Sequence, residues 1–421
     1  MYEESVLGNG LRLVTVEIPH AYSAAFGVWV GVGSRYESDG LAGASHFIEH
    51  MLFKGTQKRP TAREIALSIE GIGGIFNAST GQETTTYWAK VARHHLPAAV
   101  DTIFDMLLNS KFDPDEVEKE RQIIVEEINE VLDLPEELVW LQLQELLWPE
   151  HPLGRDVAGS RESVARLSRS ALLDYMHEHY SAPRMVVAIA SCVSHQSARE
   201  LIAPYVEGLP THSTADYLPV KPLSGPRAAA TFRDTEQAHF CLGVRGLDRL
   251  HPDRYVLHLL NTILGDGMSS RLFIEIRERL GLAYTVYSSI GFLQDTGSFA
   301  VYAGVDPEKL TSAIRAVLAE LERVRRETVT DEELRAAKEY VKGRLLLRLE
   351  DTAANASWVG SQALLGKEII TPDEVIRCVD EVTASDVRRV AEDLIQENRM
   401  VLSVVGPVDT EADWEQLLRL A

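Results

Sequence analysis

HFIEHMLFKGT, residues 46–56, places two histidines and a glutamate within five positions of a short apolar segment. Residues three and four apart stack on one face of an α-helix. His46, Glu49, His50 and Phe53 therefore share one side, and Phe47, Ile48, Met51 and Leu52 the other. The segment reads as an amphipathic helix that buries a greasy stripe and turns two imidazoles together in the opposite direction. Either histidine alone would be an ordinary surface residue. As an i, i+4 pair they suit a borderline cation such as Zn²⁺, and Glu49 could reach a water on that cation without ligating it. Such a clamp needs a third ligand.

Residues 113–137, DPDEVEKERQIIVEEINEVLDLPEE, read as a helix whose acidic start suits the positive end of its dipole. Most helical glutamates are simply solvated, but the register here separates them. Glu120 and Glu127 lie seven apart beside Ile124, Ile128 and Val131, whereas Glu126 is rotated by roughly 100° toward Lys119 and Glu130. Glu127 is the preferred third ligand and Glu126 the alternative.

The chain has 421 residues, 45% hydrophobic and 25% charged, a globular composition sufficient for two or three domains. Its formal net charge of -21 would repel a nucleic-acid polyanion from most of the surface. The opening MYEESVLGNG lacks a basic-then-apolar leader pattern, and the longest apolar run, AAFGVWVGVG, is too short to span a bilayer. A cytoplasmic protein without a membrane or nucleic-acid partner is expected. Cys192, Cys241 and Cys378 are far apart with no CxxC spacing, which points away from disulfides and thiolate metal sites. His94, His95, His151, His179, His239, His251 and His258 are assigned no chemistry.

Strand-like LRLVTVEI and AAFGVWVGVG precede the histidine helix, and GIFNASTGQETTTYWAKV follows as a hairpin turning at Gly81. Helical periodicity runs over residues 97–148, before the strand RMVVAIASCV. Residues 206–229 are rich in Pro, Ser, Thr and Gly without periodicity and read as a linker. Beyond them, AHFCLGVRG, RYVLHLLNTIL, SSRLFIEIRERLG, AYTVYSSIGF and SFAVYAGV repeat the earlier element order, then long helices run to the end. The expected fold is α+β: two related domains, 1–205 and 230–421, each a β-sheet packed with helices.

With these segments in hand, the chain resembles the pitrilysin or insulinase-type zinc peptidases, the inverted HxxEH class. The stretches that carry the resemblance include HFIEHMLFKGT, ERQIIVEEINEVLDLPEE, HPLGRDVAG, GDGMSSRLFIEIRERLGLAYTVYS and VTASDVRRVAEDL, and they span almost the whole chain. The length is similar to that of mitochondrial processing peptidase subunits and their bacterial relatives. In that family a glutamate separated from the second histidine by roughly 76 intervening residues completes the zinc site, a spacing that His50 and Glu127 fit.

The resemblance implies one zinc per chain, Glu120 in support of the site, and Glu49 as general base in peptide hydrolysis. It also implies Arg277 and Tyr284 as a substrate-binding pair near the scissile bond, and Asn77 and Ala78 on a strand whose edge pairs with the peptide. Relatives in the short branch form a two-subunit clamshell in which that pair works opposite the partner's zinc, so a homodimer with composite sites acting on peptides or unfolded polypeptide is expected. Two other readings stay open: a noncatalytic scaffold subunit of the same fold, and a peptidase dedicated to one precursor. One departure, SCVSHQ where the family commonly turns with Gly-Asp or Gly-Asn, affects a surface connection.

Overall fold

Ser23–Val30, apolar except for its first residue, forms a strand buried along nearly its whole length, and a six-stranded sheet assembles around it. The computed structural model describes residues 2–212 and 217–420. The first sheet contains β1 (Tyr2–Val6), β2 (Arg12–Glu17), β3 (Ser23–Val30), β4 (Ile75–Thr80), β5 (Thr85–Ala92) and β6 (Met185–Ser191), in the order β1-β2-β6-β3-β5-β4. The second contains β7 (Arg227–Phe232), β8 (Ala238–Gly246), β9 (Ala283–Phe292), β10 (Gly297–Val305) and β11 (Val401–Gly406), in the order β7-β11-β8-β10-β9.

The two sheets repeat one another. In each, the first strand of the repeat runs parallel to the last, and the remaining neighbours are antiparallel. Thus β2-β6-β3-β5-β4 corresponds strand for strand to β7-β11-β8-β10-β9, with β1 added outside the first. The chain is an α+β protein of two related domains, which element order alone had suggested.

The domains are not the continuous halves 1–205 and 230–421. One compact unit comprises Met1–Ile128, Asp156–Leu218 and Leu346–Thr371; the other comprises Asn129–Arg155, Pro219–Leu345 and Pro372–Ala421. The helix Pro135–Leu147, from the first repeat, covers β8 and β11, while Thr352–Leu365, from the second, covers β2, β3 and β6. Each helix lies between the fourth and fifth strands of its own repeat, so the repeats have exchanged equivalent elements. Amphipathic periodicity records that a helix is buried on one side, not which sheet buries it. The stretch expected as a linker also contains the start of β7, whose small residues in RAAATF gave little strand signal. Among the described residues no helix is long and apolar enough to cross a membrane.

The exchanged helix is fitted closely to the first sheet. Trp29 of β3, 5% exposed, lies between two glycines: a Cβ on Gly27 would come within 2.7 Å of its ring, and one on Gly360 within 2.6 Å. Because close-packed interiors cannot yield at such distances without displacing a side chain, Gly360→Ala is expected to cost about 1–3 kcal/mol. Gly343 is the control. It sits inside the helix Asp331–Arg348, where a Cβ meets nothing within 4 Å. Gly343→Ala should stabilise by about 1 kcal/mol through helix propensity. Urea unfolding of both variants checks this; an unchanged midpoint for Gly360→Ala would show that Trp29 can move aside.

Candidate active site

The segment Ala44–Leu52 is a helix, and its N-terminus is held in a defined way. Gly43 caps it at φ +92°, and a Cβ there would approach the Ala158 carbonyl oxygen to 2.4 Å. The buried Glu37 carboxylate accepts hydrogen bonds from the backbone N–H groups of Gly43 (2.8 Å) and Ser45 (2.7 Å). It thus satisfies orphan donors and places negative charge at the positive end of the helix dipole. Phe47, Ile48, Met51 and Leu52 are fully buried, which fixes the rotation of the helix about its axis. His46, Glu49 and His50 remain partly accessible on the other side.

The helix Pro114–Asp133 brings two carboxylates to this face, those of Glu120 and Glu127. Its Ile124 and Ile128 are buried, Glu126 is exposed, and the Glu127 carboxylate reaches the imidazoles. Glu127 Oε2 lies 3.8 Å from His46 Nε2 and 3.5 Å from His50 Nε2. The three donor atoms fall within 4.8 Å of one another. Ligands bonded tetrahedrally to zinc at about 2.0–2.1 Å stand roughly 3.3–3.5 Å apart; the His50–Glu127 separation matches that spacing and the His46–Glu127 separation of 3.8 Å is slightly wider, so small side-chain shifts would let the two nitrogens and the carboxylate oxygen hold that ion. Burial, then the neighbouring His50, lowers the His46 pKa to about 4, leaving it a neutral lone-pair donor at pH 7. The structure therefore brings Glu127, rather than Glu126, to the two histidines.

Glu120, one heptad before Glu127, is buried with a different set of partners. Its carboxylate lies 3.1 Å from His50 Nδ1 and 2.7 Å from Lys54 Nζ. Burial disfavours its charge, but the hydrogen bonds from His50 and Lys54 outweigh that and lower its pKa. An ionised Glu120 accepts a hydrogen bond from His50 Nδ1–H, the tautomer that leaves the Nε2 lone pair on the Glu127 side available to a cation. Lys54 was not a sequence candidate; it lies one turn beyond His50, inside the quoted stretch, and could have been found by the same i, i+4 rule.

Glu49 is oriented from the sheet. Thr80 at the end of β4 donates a short hydrogen bond to its carboxylate, and Phe76 packs on Phe53 with ring centroids 5.5 Å apart. Burial raises the Glu49 pKa, a shift that the Thr80 hydrogen bond and His50 oppose. Thr80 escaped the sequence reading because nothing local links a hairpin threonine to a helix some thirty residues earlier. β4 is the outer strand of its sheet, paired only with β5 among the described residues. Ala78 lies with Phe76 and Thr80 on the side of the histidine helix, while exposed Asn77 points to the other face and accepts the Ala78 N–H at 2.8 Å.

Arg277 and Tyr284 belong to the other compact unit. Arg277 lies on Phe273–Arg279, which is wound as a π-helix, and Leu280 N–H bonds back five residues to Glu275. The Arg277 guanidinium stands over the rings of Phe273 (4.7 Å) and Tyr284 (4.8 Å). Gly281, at φ +58°, turns the chain into β9, where Tyr284 is 72% exposed. The two side chains thus form one exposed arginine–aromatic cluster.

A family model described as Insulinase (Peptidase family M16) matches residues 12–161, and one described as Peptidase M16 inactive domain matches residues 166–341. A Mycobacterium bovis protein named as an uncharacterized zinc protease is 39% identical, covering 99% of this chain and 95% of its own length. A protease from Helicobacter pylori shares the fold with a TM-score of 0.91 at 23% identity, covering 96% of this chain and 99% of its own. A chain of complex III from Candida albicans does so with a TM-score of 0.85 at 20% identity, over 99% and 98%.

The donor geometry makes a prediction about metal affinity. Glu127→Ala should no longer retain zinc, Glu126→Ala should bind it as the parent does, and Glu120→Gln should bind about 10–100-fold more weakly with the fold preserved. Titration against a chromophoric chelator measures all three. Zinc loss from the Glu126 variant with retention by the Glu127 variant would reverse the assignment.

Proposed function

The chain belongs to the insulinase family, peptidase family M16, and from that footing we propose that it is a zinc-dependent endopeptidase acting on oligopeptides or unstructured polypeptide segments. The observation that carries the proposal is the convergence of His46, His50 and Glu127 donor atoms beside a glutamate that Thr80 holds in place. His46, His50 and Glu127 would hold one zinc per chain. When bound, zinc supplies Lewis acidity, bringing the pKa of water toward about 7 and polarising a carbonyl.

Glu49 acts as general base and then general acid. It accepts a proton from the attacking water and transfers it to the leaving amine, so that one water is consumed as the peptide C–N bond breaks. Its raised pKa suits this double duty, because a carboxylate with an ordinary pKa is a poor proton donor near neutrality. Glu120 orients His50. The free edge of β4, with Asn77 and Ala78, offers backbone donors and acceptors to an extended peptide, a mode that binds main chain and tolerates varied side chains. Arg277 and Tyr284 supply cationic and hydroxyl donors to substrate, and in a homodimer they would serve the site of a second copy.

A scaffold role is the second reading, prompted by the shared fold of the complex III chain. The complete donor set favours catalysis. Purified protein with zinc should cleave unstructured peptides, and Glu49→Gln should abolish cleavage, a loss of at least about 10²-fold, while retaining its zinc. Mixed Glu49→Gln and Arg277→Ala chains should recover part of the activity if the sites are shared. Undiminished turnover by Glu49→Gln would remove Glu49 from its role, and zinc-replete but inactive parent protein would favour the scaffold.

A further inference from the structure

Sheet geometry gives β4 two different faces. Directly paired residues on β4 and β5 point the same way, so Phe76, Ala78 and Thr80 share a side with Ala89, Tyr87 and Thr85. That is the side of the histidine helix, as the Phe53 and Glu49 contacts show. Ser79 and Asn77 share the opposite side with Thr86 and Trp88, and the pairing continues across β3 to Trp29 and Gly27. A cavity of about 300 Å³ lies on this second side, walled by the sheet and by the start of the exchanged helix Thr352–Leu365.

We infer that this cavity is a specificity pocket for a bulky apolar side chain, aromatic by preference, carried by a peptide paired to the β4 edge. The inference rests on the peptide-binding role proposed above for that strand. A strand added to an edge directs successive side chains to alternate faces. If one residue of the peptide faces the metal cluster, its neighbours face the cavity side, where Ser79 of β4 forms part of the lining.

The lining selects the class of side chain. Trp88 and Trp29 supply indole surface, and Ala353, Ala354 and Ala356 keep the opposing helix surface shallow. Gly27 presents no side chain opposite Trp88, and the Trp29 ring is fixed between Gly27 and Gly360, so the floor is rigid. Local charges are largely committed to each other. Asp351 caps the helix by accepting the N–H groups of Ala353 and Ala354, and it pairs with Lys90. Arg348, which is exposed, is the charged member of the lining, and a guanidinium plane is well suited to cover an aromatic ring.

The test compares cleavage of a peptide series by the full-length zinc enzyme and by Ala354→Phe, which fills the cavity from the helix side. The parent should prefer Phe, Trp or Leu over Ala by about tenfold in kcat/KM at positions of one parity only, counted from the cleaved bond. Ala354→Phe should reduce that preference to less than about twofold while leaving the intervening positions unchanged. Equal changes at both parities, an unchanged profile, or a preference for acidic residues would overturn the assignment. Trp88→Ala, which enlarges the cavity, should shift the preference toward larger side chains at the same parity, and a shift at the other parity would likewise overturn it. Binding of the same peptides to zinc-loaded Glu49→Gln, measured by calorimetry, separates this proposal from the peptidase reading. Parity-selective binding without cleavage by the parent rejects only the peptidase reading. Cleavage without parity selectivity rejects only the pocket, and neither binding nor cleavage rejects both.

Discussion

The chemistry available to this protein depends on the rotation of one nine-residue helix about its own axis. A change of one residue turns an α-helix by roughly 100°, enough to replace the two imidazoles with Phe47 and Met51. Four fully buried side chains oppose that change. At about 1.5–3 kcal/mol each, exposing them would cost roughly 6–12 kcal/mol as an upper bound, comparable to the whole stability of a typical domain. The Glu37 cap and the close fit of Gly43 against Ala158 set the position of the helix along its axis. Rotation and position together determine where His46, Glu49 and His50 stand.

Around this helix the protein uses carboxylates in contrasting environments. Glu37 is buried and consumed by backbone N–H groups, and Glu120 is buried but held ionised by a lysine and an imidazole. Glu49 is pushed the other way, its pKa raised by desolvation. Glu127 remains half-accessible, with its oxygen directed at two imidazole nitrogens. Opposite shifts on neighbouring carboxyl groups are how one site can keep one group as an anion and another ready to exchange protons at the same pH.

Much of this centre was legible in the sequence because its key spacings are helical. The i, i+4 histidines sit within a single amphipathic segment, and the isoleucine register beside Glu120 and Glu127 separated them from Glu126 without knowledge of the tertiary structure. What was not legible depends on contacts between distant segments. Thr80 reaches Glu49 through the folding of a hairpin onto a helix. Glu37 acts across an irregular turn whose geometry has no periodic signature. The strands β1, β7 and β11 were missed, β7 because its small residues resemble those of a linker. The exchange of Pro135–Leu147 and Thr352–Leu365 between repeats was invisible because either helix could have covered either of two similar sheets. That exchange matters beyond the fold: it gives the sheet carrying the histidine helix a second wall drawn from the far end of the chain, and with it the cavity behind β4.

Anomalous diffraction at the zinc absorption edge, from crystals of the zinc-loaded protein, tests the arrangement most directly. The account predicts one peak per chain, about 2.0–2.1 Å from Nε2 of His46, Nε2 of His50 and a carboxylate oxygen of Glu127, with Glu49 nearby but not ligating. A peak coordinated by other side chains, or one that leaves Glu127 outside bonding distance, would contradict it.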